Sequence, residues 1–279
     1  MVTEMVKREV IELLERKKGQ FFDVFNDLDL SSYPVHVEFW QNERIFERVE
    51  EICAIKGKER LALEELEERD SVIRGVSLVY EDCAYVLITN MPYSTERYFT
   101  YALYSELAKV YAIYKGEYNR NEIGVDEFEI NINMGYAFWN LFVSRMIAYE
   151  LLSNEFLEVK KICQRKTFLS ENIRFIDIDI RKKQLGCVLI ADLYAMCVAH
   201  SRLKDKEINA DKYSFPVDKR WYAGKKLHKE MTSLLKIILN QLNKENPYSI
   251  DLDILEEIGS SVYDIFWKLK EYEATLAVV

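Results

Sequence analysis

The feature that most constrains the fold is the stretch of residues 71–152, in which two apolar segments precede two helical ones. Periodicity predicts, in order, a strand over 72–80, a strand over 83–89, a helix over 95–115 and a helix over 132–152. Only Glu81 and Asp82 separate the two strands, which is typical of a β-hairpin. Because both strands are almost entirely apolar, we expect the following helix to cover one face of the hairpin.

The composition indicates a compact and mostly helical protein. The chain has 9 glycines and 4 prolines among 279 residues, and 49% of its residues are apolar. We therefore predict an α+β fold that is predominantly α-helical, with a small hairpin or sheet packed on a helical core and a helical C-terminal half. The expected division is an α+β core over residues 1–152 and a helical region over 153–279, which can also form one continuous domain.

The remaining elements follow from the same patterns. We predict further helices over 3–25, over 41–70 with a break at Gly57, and over 184–203, 222–244 and 250–277. Alternation of apolar and polar residues predicts short strands over 35–40 and 175–180.

Several function classes are disfavoured by what the sequence lacks. The longest apolar run covers residues 185–200, contains Asp192, and is too short to span a bilayer. No secretory leader is expected at the start. The cysteines form no CxxC pair and the histidines no HxxxH pair, so we expect free thiols, no metal and no cofactor. A cytoplasmic location without membrane contact follows as the expectation.

The charge of −9 is distributed unevenly. Residues 1–150 contain 17 basic and 28 acidic side chains, whereas residues 151–279 contain 21 basic and 19 acidic ones. An acidic first half disfavours binding to nucleic acid and favours a basic protein partner. The plain alternative is an acidic face that only keeps the protein in solution.

The first predicted helix of the central stretch contains Glu106, with Ser105 before it and Lys109 three residues after it. The second contains an aromatic segment in which Gly135 is followed by Phe138, Trp139 and Asn140. The order of elements and these helices resemble the HExxH metallopeptidases, the zincin-like family. The resemblance implies that Glu106 matches the glutamate that activates water, while Ser105, Lys109 and Leu141 stand where zinc ligands are expected.

These three positions depart from the family pattern. A serine hydroxyl is a poor zinc ligand, an ammonium group repels a divalent cation, and leucine has no lone pair to donate. The resemblance therefore implies a degenerate metallopeptidase scaffold without metal or catalytic residues. The spacing of Glu106 and Lys109 also fits an ordinary ion pair on one helix face.

The loop between the two helices is a candidate interface. Residues 116–131 hold five acidic side chains against Arg120. Within it we single out two aromatic anchors and three carboxylates as the centre and rim of a protein-binding surface: Tyr118, Phe128, Glu122, Asp126 and Glu127. An exposed connector is the alternative.

Together these patterns predict a non-catalytic protein–protein interaction factor on a degenerate metallopeptidase-like scaffold, with self-association as a further expectation. One alternative is a phage or mobile-element inhibitor of a bacterial defence protein, which rests on the bias towards Lys, Glu, Ile, Asn and Tyr. Another is a hydrolase with an unorthodox site.

Overall fold

The computed structural model describes residues 4–56, 75–89, 95–116, 130–155, 180–213, 215 and 225–276. It confirms the predicted class, a predominantly α-helical α+β fold. The helices are α1 (Glu4–Val24), α2 (Ile45–Lys56), α3 (Glu96–Gly116), α4 (Ile130–Glu155), α5 (Ile180–Arg202), α6 (Lys225–Leu242) and α7 (Leu252–Leu276). The strands are β1 (Val35–Trp40), β2 (Gly75–Val79) and β3 (Ala84–Thr89), and short 3-10 turns cover Asn42–Arg44 and Ala210–Lys212.

The chain forms two compact units, Met1–Tyr111 and Ala112–Val279. The division falls within α3, one turn before that helix ends. The domain boundary predicted near residue 152 stays a prediction. Among the described residues, no helix combines the length and the apolar character needed to cross a membrane.

The first unit contains a three-stranded sheet in the order β1-β3-β2. The predicted hairpin is confirmed, since β2 and β3 are antiparallel and the Tyr80 N–H donates to the Cys83 carbonyl over 2.9 Å across the turn. The strand expected over residues 35–40 is also confirmed, and it pairs in parallel with β3, Val35 opposite Ala84. The strand expected over 175–180 lies outside the described residues apart from Ile180, which begins α5.

Opposite faces of the sheet are covered by different helices, because neighbouring side chains on a strand point to opposite sides. On one face, α2 packs against Leu87 with a buried cluster that also includes Ile45, Val49, Ile52, Cys53, Val76 and Leu78. On the other face, the Phe99 ring of α3 lies 5.8 Å from the Phe39 ring of β1. On the same face, Glu106 of α3 lies against Gly75 of the hairpin strand β2, which confirms that α3 covers one face of the hairpin.

The α1 helix packs along α3 through aromatic side chains. Phe21 lies 6.0 Å from the ring of Tyr104, and Phe25, just after α1, lies 4.7 Å from that of Tyr111. The Tyr111 hydroxyl donates to Asp27 over 2.9 Å. These contacts position α3, and with it Glu106, beneath the sheet.

In the second unit, α4 packs against both α5 and α7. Where α4 meets α7, Gly135 and Gly259 bring the two backbones into direct contact. A Cβ atom on Gly135 would overlap the carbonyl of Leu255, and one on Gly259 would overlap the carbonyl of Asn131. Only glycine fits at this crossing.

Helices α6 and α7 form an antiparallel pair joined by a short connection. An ion pair between Glu230 of α6 and Lys268 of α7 lies near the far end of this pair. Near the connection, the Gln241 side chain donates two hydrogen bonds, to the carbonyls of Pro247 and Ser249. These contacts set the register of the two helices.

Candidate functional site

The predicted motif glutamate is buried against the sheet. Glu106 lies in the middle of α3, and its side chain is 12% exposed. A Cβ atom placed on Gly75 of β2 would approach the Glu106 Cγ to 3.0 Å, so the absence of a side chain at Gly75 makes room for this glutamate. The carboxylate is thus held where α3 passes under the edge strand β2.

The Glu106 carboxylate has a partner on its own helix. The Lys109 ammonium lies 2.7 Å from its Oε2 atom, and the Lys109 side chain is 25% exposed. Residues three apart share one helix face, so α-helical geometry alone brings the two groups together. The ion pair that the spacing predicted is therefore confirmed. The negative charge of the buried Glu106 carboxylate is therefore neutralised by the Lys109 ammonium group.

Two hydroxyl groups on the same side of the sheet are buried. Ser105 Oγ of α3 and Ser77 Oγ of β2 each have no hydrogen-bond partner among the residues that the structure describes. Ser77 lies two residues from Gly75, on the face that α3 covers. A buried hydroxyl without a protein partner either bonds to ordered water or costs free energy.

These side chains do not fit a zinc ion. Glu106 is engaged by an ammonium group, and Ser105 offers only a neutral hydroxyl. Leu141 lies in α4 of the second unit and has an apolar side chain. Within the described ranges, no group of three or more His, Cys, Asp or Glu side chains is arranged to hold a metal.

The candidate interface residues Tyr118, Glu122, Asp126, Glu127 and Phe128 lie outside the described residues. Their role as a protein-binding surface stays a prediction.

A charged cluster on the other face of the sheet was not predicted. Arg48 of α2 binds Glu38 of β1 with two hydrogen bonds of 2.7 and 2.9 Å, and the Trp40 Nε1–H donates to the same carboxylate over 2.7 Å. Burial raises the pKa of Glu38, but these bonds outweigh it and hold the pKa below its usual value. The alternation of residues 35–40 places Glu38 and Trp40 on one face, but it does not identify Arg48 as the partner.

A second unpredicted cluster lies between α4 and α5. The Asp192 carboxylate of α5 forms an ion pair with the Arg145 guanidinium, 2.7 Å away, and accepts a 2.9 Å hydrogen bond from the Tyr149 hydroxyl. Arg145 and Tyr149 both lie on α4. Asp192 was visible in the sequence only as the charge that interrupts an apolar run. Its partners are distant in the chain, so no local pattern reveals them.

Comparison with protein-family models, curated proteins and solved structures found no match to this chain. The resemblance to zincin-like metallopeptidases therefore stays a prediction from the sequence.

Proposed function

We propose that this chain is a non-catalytic protein–protein interaction factor whose scaffold is similar to that of a metallopeptidase. The observation that supports the proposal is the ion pair of Glu106 and Lys109. A glutamate that activates water needs a carboxylate free to accept a proton beside the reacting water. Here an ammonium group lies 2.7 Å from that carboxylate, at a position where the resembled family supplies a metal ligand.

The hydrolase alternative finds less support in this unit. Nucleophilic attack by Ser105 requires a base within hydrogen-bond reach of its hydroxyl. Histidine is the usual base, and His36 is the only histidine in the sequence of residues 1–111. It lies on β1, stacked on Tyr85, on the face of the sheet opposite to that covered by α3. It is therefore not positioned to activate Ser105.

Metal content tests the proposal directly. Protein purified without chelators, with zinc present during expression, should contain no stoichiometric zinc, because Ser105, Lys109 and Leu141 supply no zinc-binding atoms of the usual kinds. Elemental analysis of the wild-type protein gives the answer. About one zinc ion per chain would contradict a scaffold that has lost its metal ligands, and with it the non-catalytic role.

The partner is expected to be a protein with a basic surface, since the first 150 residues carry 28 acidic against 17 basic side chains. Capture of partners from the native host, followed by mass spectrometry, identifies it. Whether that partner is a defence protein distinguishes the inhibitor alternative from a general interaction factor.

A further inference from the structure

The second unit exposes several large apolar side chains to solvent. Among its described residues these are Tyr114, Ile130, Leu252, Tyr263 and Trp267. Ile130, at the start of α4, is 60% exposed, and Tyr263 and Trp267 of α7 are 37% and 50% exposed. Tryptophan and tyrosine are among the residues that most often dominate the affinity of protein interfaces. Whether these three side chains form one surface depends on how α4 and α7 cross.

The backbone contact between the two helices places the three side chains together. Gly259 of α7 meets the carbonyl of Asn131, which directly follows Ile130. Tyr263 follows Gly259 by four residues and Trp267 follows Tyr263 by four, so both lie near the side of α7 that meets α4. Since α4 begins at Ile130 and runs antiparallel to α7, it does not extend beside these two turns. The three side chains therefore line one apolar patch about two helical turns long.

The charge around this apolar patch is negative. Asp264 directly follows the first aromatic residue, is exposed, and forms no ion pair with any described residue. The ammonium group of Lys268 is neutralised by Glu230. The chain length keeps every residue within four positions of Ile130 at most about 14 Å from it, measured between Cα atoms. Three acidic residues and no basic one precede Ile130 within that distance: Asp126, Glu127 and Glu129.

We propose that the apolar patch of Ile130, Tyr263 and Trp267 binds a basic amphipathic helix of the partner protein. The aromatic rings, one turn apart on α7, contact the apolar face of that helix. The acidic residues around the patch face its lysine and arginine side chains, as in an interface with an apolar centre and a polar rim. Charge complementarity favours this occupant over a second copy of the chain, because two acidic surfaces repel each other.

This inference rests on the proposed function, since it states where the partner protein binds and with what kind of segment. Ile130 is part of the loop over residues 116–131 for which a protein-binding role is predicted. The apolar patch extends that predicted surface onto α7, where Tyr263 and Trp267 add aromatic side chains whose exposure is known.

Titration of the full chain at low salt with fluorescently labelled peptides, followed by anisotropy, tests the site. The probe is an amidated helical peptide of about 18 residues, or five turns, in which leucines form one face and lysines the other. One matched peptide has glutamate in place of every lysine, and another has glutamine in place of every leucine. We expect saturable binding of the leucine–lysine peptide and at least about tenfold weaker binding of each matched peptide.

Trp267→Ala should weaken binding of the leucine–lysine peptide at least about tenfold, because it removes the largest apolar side chain of the patch. Leu252→Ala is the matched control, since Leu252 is 51% exposed on the same helix, about four turns before Trp267. Asp264→Lys should also weaken binding, and it leaves the apolar side chains in place. All three variants should unfold near the wild-type temperature, because the substituted side chains are exposed.

No saturable binding, equal binding of the three peptides, or equal effects of Trp267→Ala and Leu252→Ala would overturn the proposal. Self-association of the wild type that Trp267→Ala abolishes, measured by sedimentation, would assign the patch to a second copy and overturn it as well. Each of these failures leaves the proposed function in place if the protein contains no zinc. Stoichiometric zinc would overturn the proposed function whatever the peptides do.

Discussion

At the scale of single residues, the chemistry beneath the sheet depends on one pair of charges. Glu106 and Lys109 are close because helical geometry places them on one face, which is why their ion pair could be predicted from spacing alone. Their burial could not be predicted in the same way. It depends on Gly75, a residue of another element that makes room for the glutamate.

Lys109→Met should lower the free energy of unfolding by about 1–3 kcal/mol, because it leaves the Glu106 carboxylate buried without its cation. The double variant Glu106→Gln with Lys109→Met should recover part of this loss, since the remaining polar group is neutral. Urea unfolding of the wild type, both single variants and the double variant gives the coupling free energy. A coupling near zero would show that the pair contributes nothing to stability.

The Glu38–Arg48 ion pair should make the stability of the fold depend on pH. The pKa of Glu38 lies below its usual value of 4.5 in the folded protein. A carboxyl group with a lowered pKa stabilises the fold above its unfolded pKa, and this contribution is lost as the pH falls through the folded pKa. We therefore expect the stability of the wild type to fall below about pH 4.5 more steeply than that of Glu38→Gln.

The matched control for that measurement is Glu43→Gln, since Glu43 is exposed in the 3-10 turn before α2. Its dependence of stability on pH should follow the wild type. Thermal unfolding midpoints at intervals between pH 3 and pH 7 provide the comparison. Indistinguishable profiles for Glu38→Gln and the wild type would show that the carboxylate is not stabilised by Arg48 and Trp40.

At the scale of elements, periodicity predicted the helices well where they are amphipathic or long, and predicted the hairpin from its apolar strands. The parallel pairing of β1 with β3 was not predictable in this way. It depends on contacts between segments far apart in the chain, and β1 by itself shows only alternation. Tyr104, Leu107 and Tyr111 of α3 are buried, and the two tyrosine rings contact Phe21 and Phe25 near α1.

The crossing of α4 and α7 is the element contact most sensitive to substitution. Gly259→Ala should lower the free energy of unfolding by more than about 3 kcal/mol, because the added methyl overlaps a backbone carbonyl that cannot rotate away. Gly19→Ala is the matched control within a helix. Nothing lies within 4 Å of a Cβ atom at Gly19, so alanine should stabilise α1 by about 0.5–1 kcal/mol.

Urea unfolding measures both changes under the same conditions. Opposite signs are the expected result, since the two substitutions are chemically identical and differ only in their surroundings. A Gly259→Ala variant as stable as the wild type would show that α4 and α7 do not meet at their backbones.

At the scale of the whole molecule, the uneven charge predicts how the protein meets a partner. If the predicted interface binds a basic surface, association should slow as salt rises, because salt screens long-range attraction. Replacing Glu122, Asp126 and Glu127 with lysine should lower the association rate roughly tenfold or more at low salt. Binding kinetics with the captured partner at low and high salt measure this effect.

The control is a triple reversal elsewhere on the surface, at Glu245, Asp253 and Glu256, which are exposed in the second unit. It changes the net charge by the same amount as the first triple variant. Equal effects of the two variants would show that only overall charge matters and that residues 116–131 are an ordinary connector.

The sheet also determines the order in which this chain can fold during synthesis. β1 hydrogen-bonds to β3 with Val35 opposite Ala84, so it cannot pair until β3 has left the ribosome. Such long-range pairing requires closure of a large loop and makes folding slower than in a helical bundle. The apolar face of α2 also stays uncovered until β3 is synthesised, because its buried cluster includes Leu87 of β3. A nascent chain that stops before β3 therefore exposes an unpaired strand and an uncovered helix, which is the state that chaperones recognise.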